Sequence, residues 1–337
     1  MAREKRKSGM FDTVQQQKYF LFMGEDIMFQ KVITITLNPS LDATLWVNRF
    51  DLSEPVIATR EVTYPGGKAI NVSRVLTSLG IENKAIGIVG EDNAHKFMNL
   101  LDEENISYDF IEISGSIREN LSIVLPDGNL FKINRSGFSV GENTMEALNR
   151  FIEKEIDGFD SVLLIFAGSL PKNISSHQYK ELIMRFRSEK TKVCIDTDVL
   201  SGKDIMEIKP YVIKPNHIEL SHIAGKKLES FDEIKEYAVE LSKHVEHVLV
   251  SMGADGLLYA GNGCVFNCNA PKVQVKSTIG AGDTTLAAFI TALLGRKDIS
   301  ECVTYATACG TASVLLEGTG IITKAEAEMM FETIKSQ

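Results

Sequence analysis

From about Asp160 onward the chain alternates between short β-rich runs and helical ones, and no other feature restricts its fold as much. Residues 161–167 precede a helical run over 176–188, residues 191–195 follow, and 211–213 lead into 216–224. A helix around 231–243 then precedes a strand over 247–251. Strands separated by helices in this way form βαβ units, which build a mainly parallel sheet covered on both faces. Upstream, residues 31–37 (KVITITL) read as a first buried strand that ends in a turn at Asn38-Pro39. Residues 44–50, 59–64, 121–125 and 130–134 are also strand-like, with few helices between them, and Pro126-Asp127-Gly128-Asn129 marks a hairpin between the last two. These early strands predict a smaller sheet, a lid. The end of the chain is helical: residues 283–295 are apolar almost all round and belong in the core, whereas 324–335 are amphipathic and belong on the surface.

Several classes of function are excluded. Thirty-six Lys and Arg against 45 Asp and Glu leave a net charge of −9, which argues against nucleic acid as a partner. An anionic ligand has to be captured locally, by basic side chains and backbone N–H groups. The longest apolar stretches, residues 162–167 and 286–294, fall far short of the ~20 residues a bilayer span needs. Five cysteines (Cys194, Cys264, Cys268, Cys302, Cys309) without a CxxC pair fit reduced thiols in the cytoplasm. Cys264 and Cys268 with His244 and His247 lack the tighter spacing of zinc ligands and read as partly buried thiols and surface imidazoles. Residues 1–30 read as a loosely ordered extension, or as an artefact of start-site choice given Met23 and Met28.

The sharpest local motif is Thr278-Ile279-Gly280-Ala281-Gly282-Asp283-Thr284-Thr285, a glycine-rich turn that runs straight into an apolar helix. A helix N-terminus carries unpaired N–H groups and about half a positive charge, so small residues there let an anion reach the backbone. Asp283, in the first turn, should be ionised near neutral pH. It serves as a base or as a plain N-cap, and the segment alone leaves both open. A second motif, Pro65-Gly66-Gly67-Lys68-Ala69-Ile70-Asn71, puts Lys68 and Asn71 one turn apart at the start of another helix. Neither GxxxxGK[ST] nor a strand-to-helix GxGxxG occurs, so a kinase reading requires another phosphate-binding design.

In combination the motifs are recognisable. Residues 36–42 (TLNPSLD), Gly66-Gly67-Lys68 with residues 71–76 (NVSRVL), Gly168-Ser169-Leu170-Pro171, Lys214-Pro215-Asn216 with Glu219, residues 251–256 (SMGADG) and Gly280-Ala281-Gly282-Asp283 resemble, in order, the PfkB branch of the ribokinase-like sugar kinases. The likeness spans residues 31–335 and is strongest to the bacterial phosphosugar kinases acting on fructose 1-phosphate or tagatose 6-phosphate. It implies a ribokinase-like α/β fold over residues 31–337, a doubly wound, mainly parallel sheet flanked by helices. A small β-sheet lid is inserted from about 44–64 and 118–135.

The resemblance implies transfer of the ATP γ-phosphoryl group to a sugar-phosphate hydroxyl, with Asp283 as general base and the N–H groups of Gly280, Ala281, Gly282 and Asp283 on the moving phosphoryl. Asp42, Gly67, Lys68 and Asn71 match positions that bind sugar hydroxyls. Arg118 and Asn120 match an element that holds the substrate's phosphate, with Lys132 across the hairpin as a second candidate. Lys214, Asn216, Ser251, Gly253 and Gly256 match the ATP side, as does Cys309, which stands where an Asn commonly faces the adenine. Asn216 and Glu219 match a feature that organises Mg²⁺ through water; without the resemblance they read as a helix cap and an exposed acid. A homodimer through the lid is a further implication. The expected reaction converts fructose 1-phosphate to fructose 1,6-bisphosphate. Tagatose 6-phosphate is the competing substrate, and a non-catalytic sugar-phosphate binding protein is the rival of another class. Ala69 in place of a third glycine, Cys309, and Glu119 between Arg118 and Asn120 depart from the family pattern.

Overall fold

A computed structural model describes residues 29–51 and 53–336; the expectation for residues 1–30 therefore falls almost entirely outside the described residues. Nine strands form one sheet in the order β13-β12-β11-β10-β9-β8-β1-β4-β5. They are β1 (Lys31–Thr36), β4 (Lys84–Gly90), β5 (Ser107–Ile113), β8 (Val162–Ala167), β9 (Thr191–Asp196), β10 (Val212–Ile213), β11 (His247–Ser251), β12 (Leu257–Gly261) and β13 (Cys264–Cys268). The seven from β11 to β5 pair in parallel, and β12 and β13 close one edge antiparallel. All six residues of β8 are buried, as a strand covered on both faces requires.

Ten helices among the described residues cover the sheet: α1 (Lys68–Ser78), α2 (Ala94–Glu103), α3 (Glu142–Ile156), α4 (Ser176–Phe186), α5 (Gly202–Ile208), α6 (His217–Ala224), α7 (Phe231–Leu241), α8 (Ala281–Leu294), α9 (Ile299–Ser313) and α10 (Lys324–Lys335). Two apolar cores result. Helices α2 to α7 pack on one face, against Ile33 and Ile35 of β1 among others. On the other face α1, α8, α9 and α10 pack against Val32, Leu163 and Ile165. Successive β residues point to opposite faces, so one strand feeds both cores. Helix α10 buries only Ala327 and Phe331 and presents its polar side outward, as its periodicity predicts.

The remaining strands, β2 (Ser40–Val47), β3 (Ala58–Gly66), β6 (Arg118–Val124) and β7 (Leu130–Asn134), form a separate sheet in the order β3-β2-β6-β7. Strand β2 pairs antiparallel with β3 and parallel with β6, and β6–β7 is the hairpin expected from Pro-Asp-Gly-Asn. Strand β2 begins four residues earlier than its β-rich composition suggests. Asp42 looks unlike a strand residue, yet the amide of Asn120 on β6 satisfies its carboxylate. No helix among the described residues is long and apolar enough to cross a membrane.

Strand order reverses at β1: the chain runs outward through β4 and β5, then returns to β8 on the other side and continues to β13. Ligands of open α/β sheets bind beyond the carboxyl ends of strands at such a reversal. Here Asn38, just past β1, bridges it by donating from Nδ2 to Ser169 Oγ and to the Leu170 carbonyl beyond β8, each at 3.1 Å.

Candidate active site

The floor of the crevice is a buried charge cluster. Strand β9 delivers Asp196, 1% exposed, to its carboxyl end. Its Oδ1 accepts from Lys68 Nζ at 2.9 Å, and its Oδ2 lies 3.1 Å from Lys214 Nζ. Lys68 also donates to Glu219 Oε1 at 3.1 Å. Burial alone would neutralise Asp196, but the two ammonium groups win and hold its carboxyl below the ordinary range. Burial alone would lower Lys68, but the carboxylates of Asp196 and Glu219 hold it protonated, well above the ordinary lysine value. Thus Lys68, expected at the sugar, is committed to the floor.

Above this floor sits the glycine-rich turn. Gly280, with φ +78°, starts α8, and among the described residues the N–H groups of Gly280, Gly282 and Asp283 have no acceptor. A Cβ at Gly282 would stand 3.0 Å from Lys214 Nζ, so the turn packs closely against the ammonium. Asp283 is buried, and its Oδ2 accepts from Asn71 Nδ2 at 2.8 Å. The helix N-terminus alone suggests a fully ionised carboxylate. Instead desolvation, aided by the charge of Asp196, pushes the group up to about 6, while Asn71, Lys68 and Lys214 pull it back. A carboxyl tuned near neutrality is suited to accept a proton.

The lid wall carries polar groups with capacity to spare. Register places Asp42 opposite Asn120, and Asn120 Nδ2 donates to Asp42 Oδ1 at 2.8 Å. A Cβ at Gly66 would fall 2.1 Å from Asp42 Oδ2, so that glycine makes room for the carboxylate. Ser40 lies opposite Arg118. Ser40 Oγ, Arg118 Nε and Asn120 Oδ1 are buried without a hydrogen-bond partner, and the Arg118 guanidinium forms no ion pair among the described residues. Burial lowers the Arg118 value, which the nearby Asp42 partly offsets. Glu119 points to the opposite face and pairs with Arg135 at 2.9 Å, so it does not intrude between its neighbours. Lys132 is exposed and lies opposite Ser122, the next residue outward from Asn120 on that face.

Several other expected residues take on structural work. Asn216 caps α6, its Oδ1 accepting from the N–H groups of Ile218 and Glu219 at 2.8 and 2.9 Å, while Glu219 Oε2 accepts from the Asn216 N–H at 2.9 Å. Both oxygens of Glu219 therefore already hold a donor, and Glu219 is paired rather than an exposed acid. A single carboxylate of this kind suits a hydrated Mg²⁺ contacted through water. Ser251, bridged to Asn216, closes β11, and Gly253 (φ +59°) follows in a short 3₁₀ turn. Gly256 is required by packing: its φ is +91° and a Cβ would lie 2.0 Å from the Cys268 carbonyl.

Two expectations need correction. Cys309 is 0% exposed within the core of α9 and presents nothing to a nucleotide; burial pushes its thiol up to about 12. His247 is no surface imidazole but is buried at 2.9 Å from the Tyr259 hydroxyl, and desolvation pushes it down to about 3. Among the described residues no group of three His, Cys, Asp or Glu side chains could hold a metal, and all five cysteines are free thiols. Asp196, which sequence reasoning passed over, lies at the centre of this cluster. The only local sign of Asp196 is a carboxylate that ends an apolar run.

Comparison with known proteins bears on this geometry. Residues 35–326 match the family described as pfkB family carbohydrate kinase. The chain is 34% identical over 298 residues to a 1-phosphofructokinase of Vibrio cholerae, covering 87% of this chain and 92% of that one. It is 30% identical over 314 residues to a 1-phosphofructokinase of Escherichia coli, covering 92% and 99%. Its fold matches that of phosphofructokinase-2 from Escherichia coli in complex with substrates and products, with a TM-score of 0.83 at 25% identity over 90% of this chain and 99% of that one. The chain belongs to the pfkB family of carbohydrate kinases, phosphotransferases with an alcohol group as acceptor.

Proposed function

We propose that this kinase transfers the γ-phosphoryl group of ATP to fructose 1-phosphate, yielding fructose 1,6-bisphosphate and ADP. The observation that carries this reading is Asp283: a buried carboxylate, held by Asn71 and tuned to about 6, beside N–H groups that lack acceptors. Asp283 takes the proton of the attacking 6-hydroxyl as its oxygen bonds to the γ-phosphorus and the bond to ADP breaks. The N–H groups of Gly280, Gly282 and Asp283, with Lys214 behind the turn, offset negative charge on the transferred group. Mg²⁺, contacted through water by Glu219, which the Asn216 N–H holds in place, would supply charge neutralisation on the ATP phosphates when bound.

On the acceptor side, Asp42 and Asn120 bind sugar hydroxyls, and the unpaired Arg118 binds the phosphate already on the sugar, a role to which its planar fork is suited. An unphosphorylated sugar would give Arg118 nothing to hold. The small sheet acts as a lid that excludes water, which otherwise competes as acceptor. Its outer face exposes Phe131 and Ile133 (47% and 41%), with Phe50 packed on Phe131, and these support a homodimer through the lid. The reading is tested by measuring ADP release with fructose 1-phosphate, tagatose 6-phosphate, fructose 6-phosphate and ribose, with and without Mg²⁺. Fructose 1-phosphate should give the highest kcat/KM. Preference for tagatose 6-phosphate would reassign the acceptor, and no turnover with any of the four would leave a sugar-phosphate binding protein.

A further inference from the structure

We propose that Arg74, clamped by Glu104, is a positioning residue that fixes the amide of Asn71 so that it donates to Asp283. This rests on the reading of Asp283 as the base and adds what sets that base. Arg74 lies on α1, one turn after Asn71, and its side chain is 1% exposed. Its Nε and Nη2 bind Glu104 Oε2 and Oε1, both at 2.5 Å, a bidentate pair that leaves Nη1 pointing elsewhere. Nη1 reaches Asn71 Oδ1 at 3.4 Å and the Thr319 carbonyl at 3.3 Å. The ring of Tyr64, on lid strand β3, lies 5.2 Å from the guanidinium carbon.

The consequence follows from donor and acceptor inventories. A guanidinium only donates and a carboxylate only accepts, whereas an amide has one end of each kind. Asn71 stands between the two, so one orientation of its amide satisfies both neighbours and the reversed one opposes both. With Arg74 absent, no donor-only group faces Oδ1 and that constraint is lost. The other charges facing Asp283 are Asp196 of β9, Lys68 of α1 and Lys214 after β10. Among the described residues none of these three hydrogen-bonds to Asn71, so none substitutes for Arg74.

The test reads Asp283 directly, by carboxyl ¹³C titration of the full chain without substrate, alongside kcat against pH. In Arg74→Met the Asp283 midpoint should move upward by about half to one pH unit, so that kcat near pH 6 falls about two- to sixfold while kcat above pH 8 stays within about twofold. An unmoved midpoint, or a kcat lowered equally at every pH, overturns the proposal. In an Asn71→Ala background Arg74→Met should leave the titration unchanged; a shift as large as in the parent overturns action through Asn71. Should Arg74→Met fail to fold, Arg74→Lys and Glu104→Gln should each give a smaller upward shift, and no shift in either overturns the proposal. Because the titration needs no turnover, its result is separate from that of Asp283→Asn, which tests the base itself.

Discussion

The two walls of the crevice are built on opposite principles. On the floor, Lys68, Lys214, Asp196 and Glu219 neutralise one another in ion pairs, although Asp196 Oδ2, 3.1 Å from Lys214 Nζ, makes no hydrogen bond. On the lid wall, Ser40, Arg118 and Asn120 keep buried polar atoms unpartnered beside Asp42. An unsatisfied buried polar group costs about 1–3 kcal/mol, so the lid wall is less stable than it would be with its partners in place. On the proposed function, the contrast is that of a preorganised catalytic half and a binding half whose bonding the acceptor would complete.

The contrast is broken most severely at Asp283, which belongs to the floor side but is not satisfied by it. Asp283→Asn should lower kcat by about 10²- to 10⁴-fold with little change in acceptor binding, measured by steady-state kinetics and calorimetry. Retention of near-normal turnover would remove the base assignment. The same variant should be more stable than the parent above pH 6. The folded-state value of Asp283 is raised to about 6, so the folded chain binds this proton more tightly than the unfolded chain. Stability is thus lost as pH rises from the ordinary carboxylate range through 6, on the order of 2–3 kcal/mol at pH 8, and the two proteins should converge near pH 4. Urea melts at the two pH values check the sign.

Asp196→Asn breaks the floor in the other direction, because it takes the shared counter-ion from the buried Lys214 and from the half-buried Lys68, which keeps only Glu219. Loss of one partner from a buried pair costs about 3–5 kcal/mol. Urea unfolding should register a loss of this size near pH 7, and a loss below about 1 kcal/mol would mean that Glu219 alone carries the two lysines. The smallest effect is expected on the lid. Arg118→Ala should raise KM for the phosphosugar about 10- to 100-fold, the worth of charge-assisted hydrogen bonds, while KM for ATP moves little. Stability should hold or rise, since the substitution removes an unpartnered buried atom. Equal changes in both KM values would take Arg118 out of the acceptor site.

Much of the fold was legible in the sequence. The run from β8 to β11 announced itself by apolar strands alternating with capped helices, and the β6–β7 turn by Asp127, whose carboxylate accepts from the N–H and the side chain of Asn129. Strand β4 was missed because glycines interrupt it; Gly87 is there since a Cβ would meet the Thr36 carbonyl of β1 at 1.8 Å, a reason that lies on another strand. The pattern of β5, an edge strand, alternates too weakly to stand out. In the site, Gly280 to Asp283 and the Lys68–Asn71 pair were visible through their motifs. The roles of Asp196 and Arg74 were not, because a lone charge reads as a surface group by default. Their burial depends on Lys214 and on Glu104, partners that only the folded chain brings near.

The place of β1 between β4 and β8 has a consequence for synthesis on the ribosome. Strand β4 emerges soon after β1 and covers one of its edges, but the other edge stays bare until Val162–Ala167 has been made. During that interval the nascent chain exposes KVITIT, an apolar β-forming edge of the kind that recruits other chains. Fragments that stop short of Val162 should therefore precipitate on release, and extension through β8 should relieve it. The strand that organises the finished enzyme is thus also one that waits with a bare edge while the enzyme is being made.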